Sequence, residues 1–176
     1  KLLAIFAITT PFPISAEAKE TYIPILVPIT GFLSLEGTAQ RNGAIQALDE
    51  ASSSLKIKYE VSDTSTSPEI AVTALQRALS RGKPMAIAAP IFGTQMLAML
   101  PIAKRTEVPL ITVSGTAKLT ELENPFIFRF FPGDAVVKVA HARYVTEVLR
   151  AKRPALLYQT TAYGQSGHSH LSKALK

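Results

Sequence analysis

Short runs of β-branched and other apolar residues alternate with longer Ala-rich stretches from Thr21 to Lys176, and most polar residues suited to holding a small molecule come directly after the runs. Tyr22 to Thr30 reads as the first strand, with Pro24 placing its first residues at an edge or ahead of the ladder, because proline has no amide to donate. Gly31 to Gly37 is a loop. From Thr38 the positions Ala44, Ile45, Leu48 and Ala51 share one helical face, with Arg41, Gln46 and Asp49 turned away from it. Ser52 to Ser54 ends that helix. Ile57 to Val61 alternates as a strand does, and the polar loop Asp63 to Ser67 leads into a second helix. There Ser67 is the cap, Pro68 occupies the first helical position and Glu69 lies in the first turn.

The second helix is expected to bury Ile70, Ala71, Ala74, Leu75, Ala78 and Leu79, and to stop at Gly82, where the backbone turns left-handed. Met85 to Ala89 has no polar interruption, as in a strand buried on both faces. A helix from Thr94 to Arg105, a strand from Val108 to Val113, a loop from Ser114 to Thr120 and an extended segment from Phe126 to Phe131 follow. Successive units of this kind make a parallel sheet with right-handed crossovers and helices on both faces, so the fold class is α/β. Such a sheet opens its crevice outside the carboxyl ends of the strands, where loops and helix N-termini supply donors.

Pro132-Gly133-Asp134 interrupts the pattern. A helix from Ala135 to Leu149, a strand from Ala155 to Tyr158 and a helical segment from Gln165 come after it, too little to close a core alone. The expected organisation is a first α/β lobe over residues 19–131 and the beginning of a second over 132–176. Before both lies Lys1 with the apolar run Leu2 to Ile8, a Thr10-Pro11-Phe12-Pro13 break and Ala16-Glu17-Ala18. That order fits a secretory signal peptide over residues 1–18, cleaved after Ala18, and its apolar run is too short to span a bilayer.

Composition narrows the function classes. An apolar fraction of 47% with 18% charged residues excludes a disordered chain. The chain has no cysteine, so disulfides and lipidation through cysteine are both excluded, and a soluble periplasmic protein is the expectation. A net charge of +6 would suit nucleic acid, but Arg41, Lys56, Arg77, Lys104 and Lys118 are scattered, and only Arg150, Lys152 and Arg153 cluster. These residues read as solvated faces. No nucleic-acid partner is expected.

Several strings then stand in a fixed order: Pro28-Ile29-Thr30-Gly31, Asp63, Gly93-Thr94, Pro109-Leu110-Ile111 with Ser114-Gly115-Thr116, Asn124-Pro125-Phe126-Ile127-Phe128-Arg129, and Ala162-Tyr163-Gly164-Gln165. Together they resemble the type I periplasmic binding proteins of the branched-chain amino-acid family. The resemblance implies two similar lobes joined by hinge strands. These close on a ligand and deliver it to an ABC permease, without chemistry or cofactor. It also implies a chain about twice this long. Carried over, the carboxylate and ammonium of an amino acid would meet Gly93, Thr94, Ser114, Gly115 and Thr116 on the first lobe and Tyr163 on the second. A helix starting near Thr94 would offer free N–H groups to the carboxylate, while the Gly115 carbonyl and the Thr116 hydroxyl would accept from the ammonium. Each also has a plainer role. Thr94 would serve as a helix cap, Ser114 and Thr116 would satisfy their own loop, Tyr163 would pack its lobe, and Asp63 would cap a turn or brace the cleft floor. Two departures bear on the ligand: Phe92-Gly93 stands where many members have a Ser-Ser pair, and Leu35 where some place an aromatic ring. Amides, urea and aromatic acids stay open beside leucine, isoleucine and valine.

An enzyme finds little support. Ser80-Arg81-Gly82-Lys83 has a Ser-x-x-Lys spacing, but Gly82 separates its two side chains. His168 and His170 lack a third ligand and the spacing of a helical metal site. The remaining alternatives are the ligand-sensing input domain of a receptor and a truncated remnant that binds nothing.

Overall fold

The computed structural model describes residues 20–176, so the expected signal peptide lies outside the described residues. Strands β1 (Thr21–Tyr22) and β3 (Ile57–Lys58) form a small parallel pair. The main sheet has five parallel strands in the order β4-β2-β5-β6-β7: β2 (Ile25–Val27), β4 (Val61–Asp63), β5 (Ile87–Ala88), β6 (Leu110–Thr112) and β7 (Ile127–Arg129). Pro24 separates β1 from β2, and the five-stranded ladder begins at the next residue, Ile25. That ladder start is where a missing amide does least harm.

Strand order reverses between β2, which turns to β4 on one side, and β5, which turns to β6 and β7 on the other. Loops leaving β2 and β5 therefore diverge and open a crevice at the strands' carboxyl ends. Helices α1 (Ser34–Ala51), α2 (Pro68–Ser80) and α3 (Gly93–Thr106) make the crossovers. Right-handed connections put α2 and α3 together on one face, and α1 on the other. Leu26, Leu75, Ile87, Met96, Met99, Leu110 and Leu119 fill the α2/α3 side, all fully buried. Leu119 belongs to a short helix, α4 (Lys118–Glu121), inside the segment read as a loop.

The second face is more thinly covered. Ala44, Ile45, Leu48 and Ala51 of α1 are half-buried, as their shared face requires. Beyond α1, Ile111 on β6 and its register partner Phe128 on β7 are 40% and 46% exposed. Met85 is exposed and Ala88 only half-buried, so the segment expected to be enclosed on both faces is enclosed on one.

Local signals were obeyed closely at α2. The Ser67 hydroxyl accepts from the Ile70 amide at 3.3 Å, Pro68 opens the helix, and Ala71, Ala74, Leu75 and Ala78 are buried. Ile70 departs from expectation: it is exposed, because the buried face of α2 runs through Ala71, Ala74, Leu75 and Ala78 and leaves it to one side. Gly82 also departs, with a φ of +157° that is nearer to extended than to left-handed backbone. Helix α1 starts four residues earlier than its apolar face suggested, which is possible because Gly37 lies against the Pro28 carbonyl, where a Cβ would collide with the backbone.

After Gly133 the chain adds α5 (Asp134–Arg143), a π-helical turn at Tyr144–Val148 and α6 (Ala162–Ala174). The strand expected at Ala155 to Tyr158 is absent. A strand exists through hydrogen bonds to a neighbour, and this segment has none to pair with. Leu157 is fully exposed in consequence.

Candidate functional site

A cavity of about 740 Å³ opens at the carboxyl ends of the central strands. Each first-lobe wall follows a strand: Phe32 and Leu33 follow β2, Ile91 to Gly93 follow β5, Val113 and Gly115 follow β6, and Phe131 follows β7. The opposite wall comes from Lys138 on α5, from Leu156 to Gln159 and from Tyr163, Gly164, Gly167, His168 and Leu171 on α6. Its size lies within the range of roughly 300–1,000 Å³ usual for small-molecule sites.

Three of the six expected site residues line this cavity: Gly93, Gly115 and Tyr163. Gly93 opens α3 and lies so close to Thr116 that a Cβ there would collide with the Thr116 Oγ1. Gly115 faces Asp134 and Tyr163, whose atoms would lie 3.4 and 3.6 Å from a Cβ at that position. The loop after β6, the start of α5 and α6 therefore meet at one point.

The expected hydroxyls are placed differently. Ser114 and Thr116 are 0% and 1% exposed, and neither belongs to the cavity wall; Thr116 borders a separate hollow of about 270 Å³ with Ala117, Ala162 and Ser166. Their hydroxyl oxygens have no hydrogen-bond partner among the described residues. Thr94 is not a helix cap, since Phe92 holds that position. Its hydroxyl instead accepts from the Ala162 amide at 3.3 Å, joining α3 to the first turn of α6. The Gly115 carbonyl, expected to face an ammonium, accepts from the Asp134 amide at 2.7 Å. Leu35 is 79% exposed and off the cavity wall; the aromatic ring near that place is Phe32, edge-on to Phe92 with ring centroids 5.4 Å apart.

Polar braces hold the rim. Asp63, the last residue of β4, accepts from the Ile29 amide at 2.8 Å, the Thr30 amide at 3.1 Å, the Thr30 hydroxyl at 2.5 Å and the Ser65 amide at 2.8 Å. Burial alone would raise its pKa, but these bonds to the charged form outweigh it and lower the carboxyl to about 2. Gln40 of α1 donates to the Ala89 carbonyl at 2.6 Å and accepts from the Ile91 amide at 3.1 Å, fixing the loop that delivers Phe92 and Gly93. Arg129 at the end of β7 donates to the Thr116 carbonyl and to the Thr120 hydroxyl, both at 3.0 Å, and packs against Gly133. Gln40 was invisible in the sequence because a lone amide on a helix carries no periodic signal. Arg129 stood inside a quoted string without a role.

The residues weighed for chemistry are dispersed. Ser80 ends α2 and donates to the Arg77 carbonyl. His168 stacks on Tyr158 with centroids 4.1 Å apart, and His170 lies 3.8 Å from Glu121. Among the described residues no cluster of three metal-ligating side chains occurs, and no helix is long and apolar enough to cross a membrane.

Comparison with known proteins agrees with this fold. A family described as periplasmic binding protein matches residues 20–176. No curated protein sequence matches the chain. Among solved structures, a leucine-binding protein, LivK, from Thermotoga maritima superposes with a TM-score of 0.82 at 24% identity, covering 88% of this chain and 45% of its own. An ABC-transporter solute-binding protein from Rhodopseudomonas palustris, in complex with 3,4-dihydroxybenzoic acid, gives 0.80 at 21% identity, covering 89% and 44%. The isoleucine-bound LivJ of Streptococcus pneumoniae gives 0.77 at 22% identity, covering 90% and 47%. The chain thus spans less than half the length of each of these three structures.

Proposed function

The chain belongs to the periplasmic binding protein family, and from that membership we propose that it is the solute-binding component of an ABC importer, taking up a small amino-acid-like ligand in the cleft between two lobes. The cavity at the strand ends carries this reading, because it has one wall from the first lobe and the other from α5, α6 and the segment between them. The family is one of solute-binding proteins without enzymatic activity, so the proposed work is recognition alone.

Recognition by closure needs both walls to contact the ligand, and the walls already touch. Thr94 accepts from Ala162, and the Ala117 amide donates to the Ser166 hydroxyl at 3.1 Å. A ligand that adds contacts to both sides shifts the equilibrium toward the closed form by its differential affinity for that form. The aromatic and aliphatic lining favours an apolar body, which suits leucine, isoleucine, valine or an aromatic acid, with the ligand passed to a membrane permease from the periplasm.

The six site residues keep a place in this proposal in two tiers. Gly93, Gly115 and Tyr163 would touch the ligand, whereas Thr94, Ser114 and Thr116 would hold the loops that present them. Calorimetric titration with branched-chain amino acids, their amides and hydroxylated benzoic acids tests the reading. Saturable heat with at least one compound is expected, and silence across the panel overturns it.

A further inference from the structure

Lys138 on α5 is the lysine in a wall otherwise built from apolar and aromatic side chains, glycines, Gln159, His168 and, from α1, Glu36. Its side chain is only 14% exposed and is held from three directions. Asp134 Oδ1, one helical turn back, lies 3.6 Å from Nζ. Nζ stands 5.5 Å from the centre of the Tyr163 ring, and the stem packs against Gly167 of α6. A lysine fixed in this way has already lost most of the rotamer freedom that binding would otherwise remove.

The contact with Asp134 is an ion pair longer than a hydrogen bond, so the ammonium's N–H donors are still available. Of the side chains expected to receive a ligand carboxylate, none on the first-lobe side offers a charge, and the donors that remain there are the uncapped N–H groups at the start of α3. Thr94 is engaged by Ala162, Ser114 and Thr116 have no exposed hydroxyl, and Gly93 has no side chain. We propose that Lys138 anchors the carboxylate of the captured ligand, so that this site selects organic acids over analogues whose carboxylate is replaced by a neutral amide, through a cation on the second-lobe side. Asp134 is then a positioning residue: 2% exposed, it keeps Nζ turned along the cavity wall. A bond between ammonium and carboxylate is charge-assisted, and the low exposure of the lysine side chain limits its screening by solvent.

The inference rests on the solute-binding reading, and the experiment separates the two. Wild type, Lys138→Gln and Lys138→Arg are titrated calorimetrically with isoleucine, isoleucinamide, 4-hydroxybenzoate and 4-hydroxybenzamide. Isoleucine is the ligand in the Streptococcus pneumoniae structure, and 4-hydroxybenzoate differs by one hydroxyl from the acid in the Rhodopseudomonas palustris structure. For whichever acid binds, the wild type is expected to prefer it over its amide by about tenfold or more, the usual worth of a hydrogen bond to a charged group. Lys138→Gln should abolish that preference by weakening the acid and leaving the amide unchanged, while Lys138→Arg should keep it. An acid preference that survives in Lys138→Gln overturns the anchor and leaves solute capture standing. A wild-type protein that binds none of the four probes overturns both.

Discussion

The first lobe and the segment after Gly133 are written in the same kind of sequence, yet they reach different states. Ile25 to Val27 on β2 is fully buried between β4 and β5. Leu156 to Tyr158, an equally apolar run, forms no strand, and Leu157 is completely exposed. The difference lies in neighbours: β2 has a strand on each side and helices above, whereas the later run has no strand to pair with. Apolar sequence supplies the tendency to be buried, and only other elements supply somewhere to be buried.

Truncation of a core side chain should draw the sharpest line between the regions. Leu110→Ala in β6 is expected to cost about 2–5 kcal/mol in urea unfolding, the range for removing a buried leucine. Leu157→Ala is expected to change stability by less than about 0.5 kcal/mol, as for exposed positions. Equal losses at the two sites would mean that the later run is enclosed in solution.

Next in size is Gly93→Ala, whose methyl would meet Thr116. The expected loss is about 1–3 kcal/mol in the same assay, as for overpacked sites. The double variant Gly93→Ala/Thr116→Ala should recover part of it, and full additivity would deny the contact.

Helix caps offer a milder version of the comparison. Ser67 caps α2 in the first lobe, and the Thr161 hydroxyl caps α6 by accepting from the Gly164 amide at 3.2 Å. Ser67→Ala should lower global unfolding stability by about 1 kcal/mol. Thr161→Ala should instead raise amide hydrogen exchange within α6 while leaving global unfolding nearly unchanged.

A further contrast concerns pH. Asp63 has a carboxyl lowered from 3.8 to about 2, so its contribution is fully present above the unfolded value and disappears as pH falls through the folded one. First-lobe stability should therefore drop on acidification from about pH 4 to pH 2. Asp63→Asn should flatten that part of the pH profile, measured by thermal melts across the range.

Most of the first lobe was legible before any coordinates. Ser67-Pro68-Glu69 located a helix start because a cap, a fixed φ and a favourable charge are local physics. The order of strands and helices followed from periodicity, and the crevice from where the polar residues stood. The site was legible at a coarser grain. Gly93, Gly115 and Tyr163 do line one cavity, but the enclosure of Ser114 and Thr116 was not visible, since a hydroxyl's direction depends on which loop packs over it. Gln40, Lys138 and Asp134 were missed for the same reason. Each sits on a helix whose pattern is satisfied without it, and each acts across a gap of tens of residues or through a neighbouring helix.

The sequence by itself determined the parallel α/β architecture, the α2 cap and the strand ends at which the crevice opens. All of these depend on spacing along the chain and on the chemistry of single residues. Tertiary structure decided which face of the sheet is closed, which hydroxyls are sealed away, that Asp63 ties two loops together and that Lys138 stands at the wall. Those outcomes depend on three-dimensional neighbours, and a linear order of residues does not state who those neighbours are.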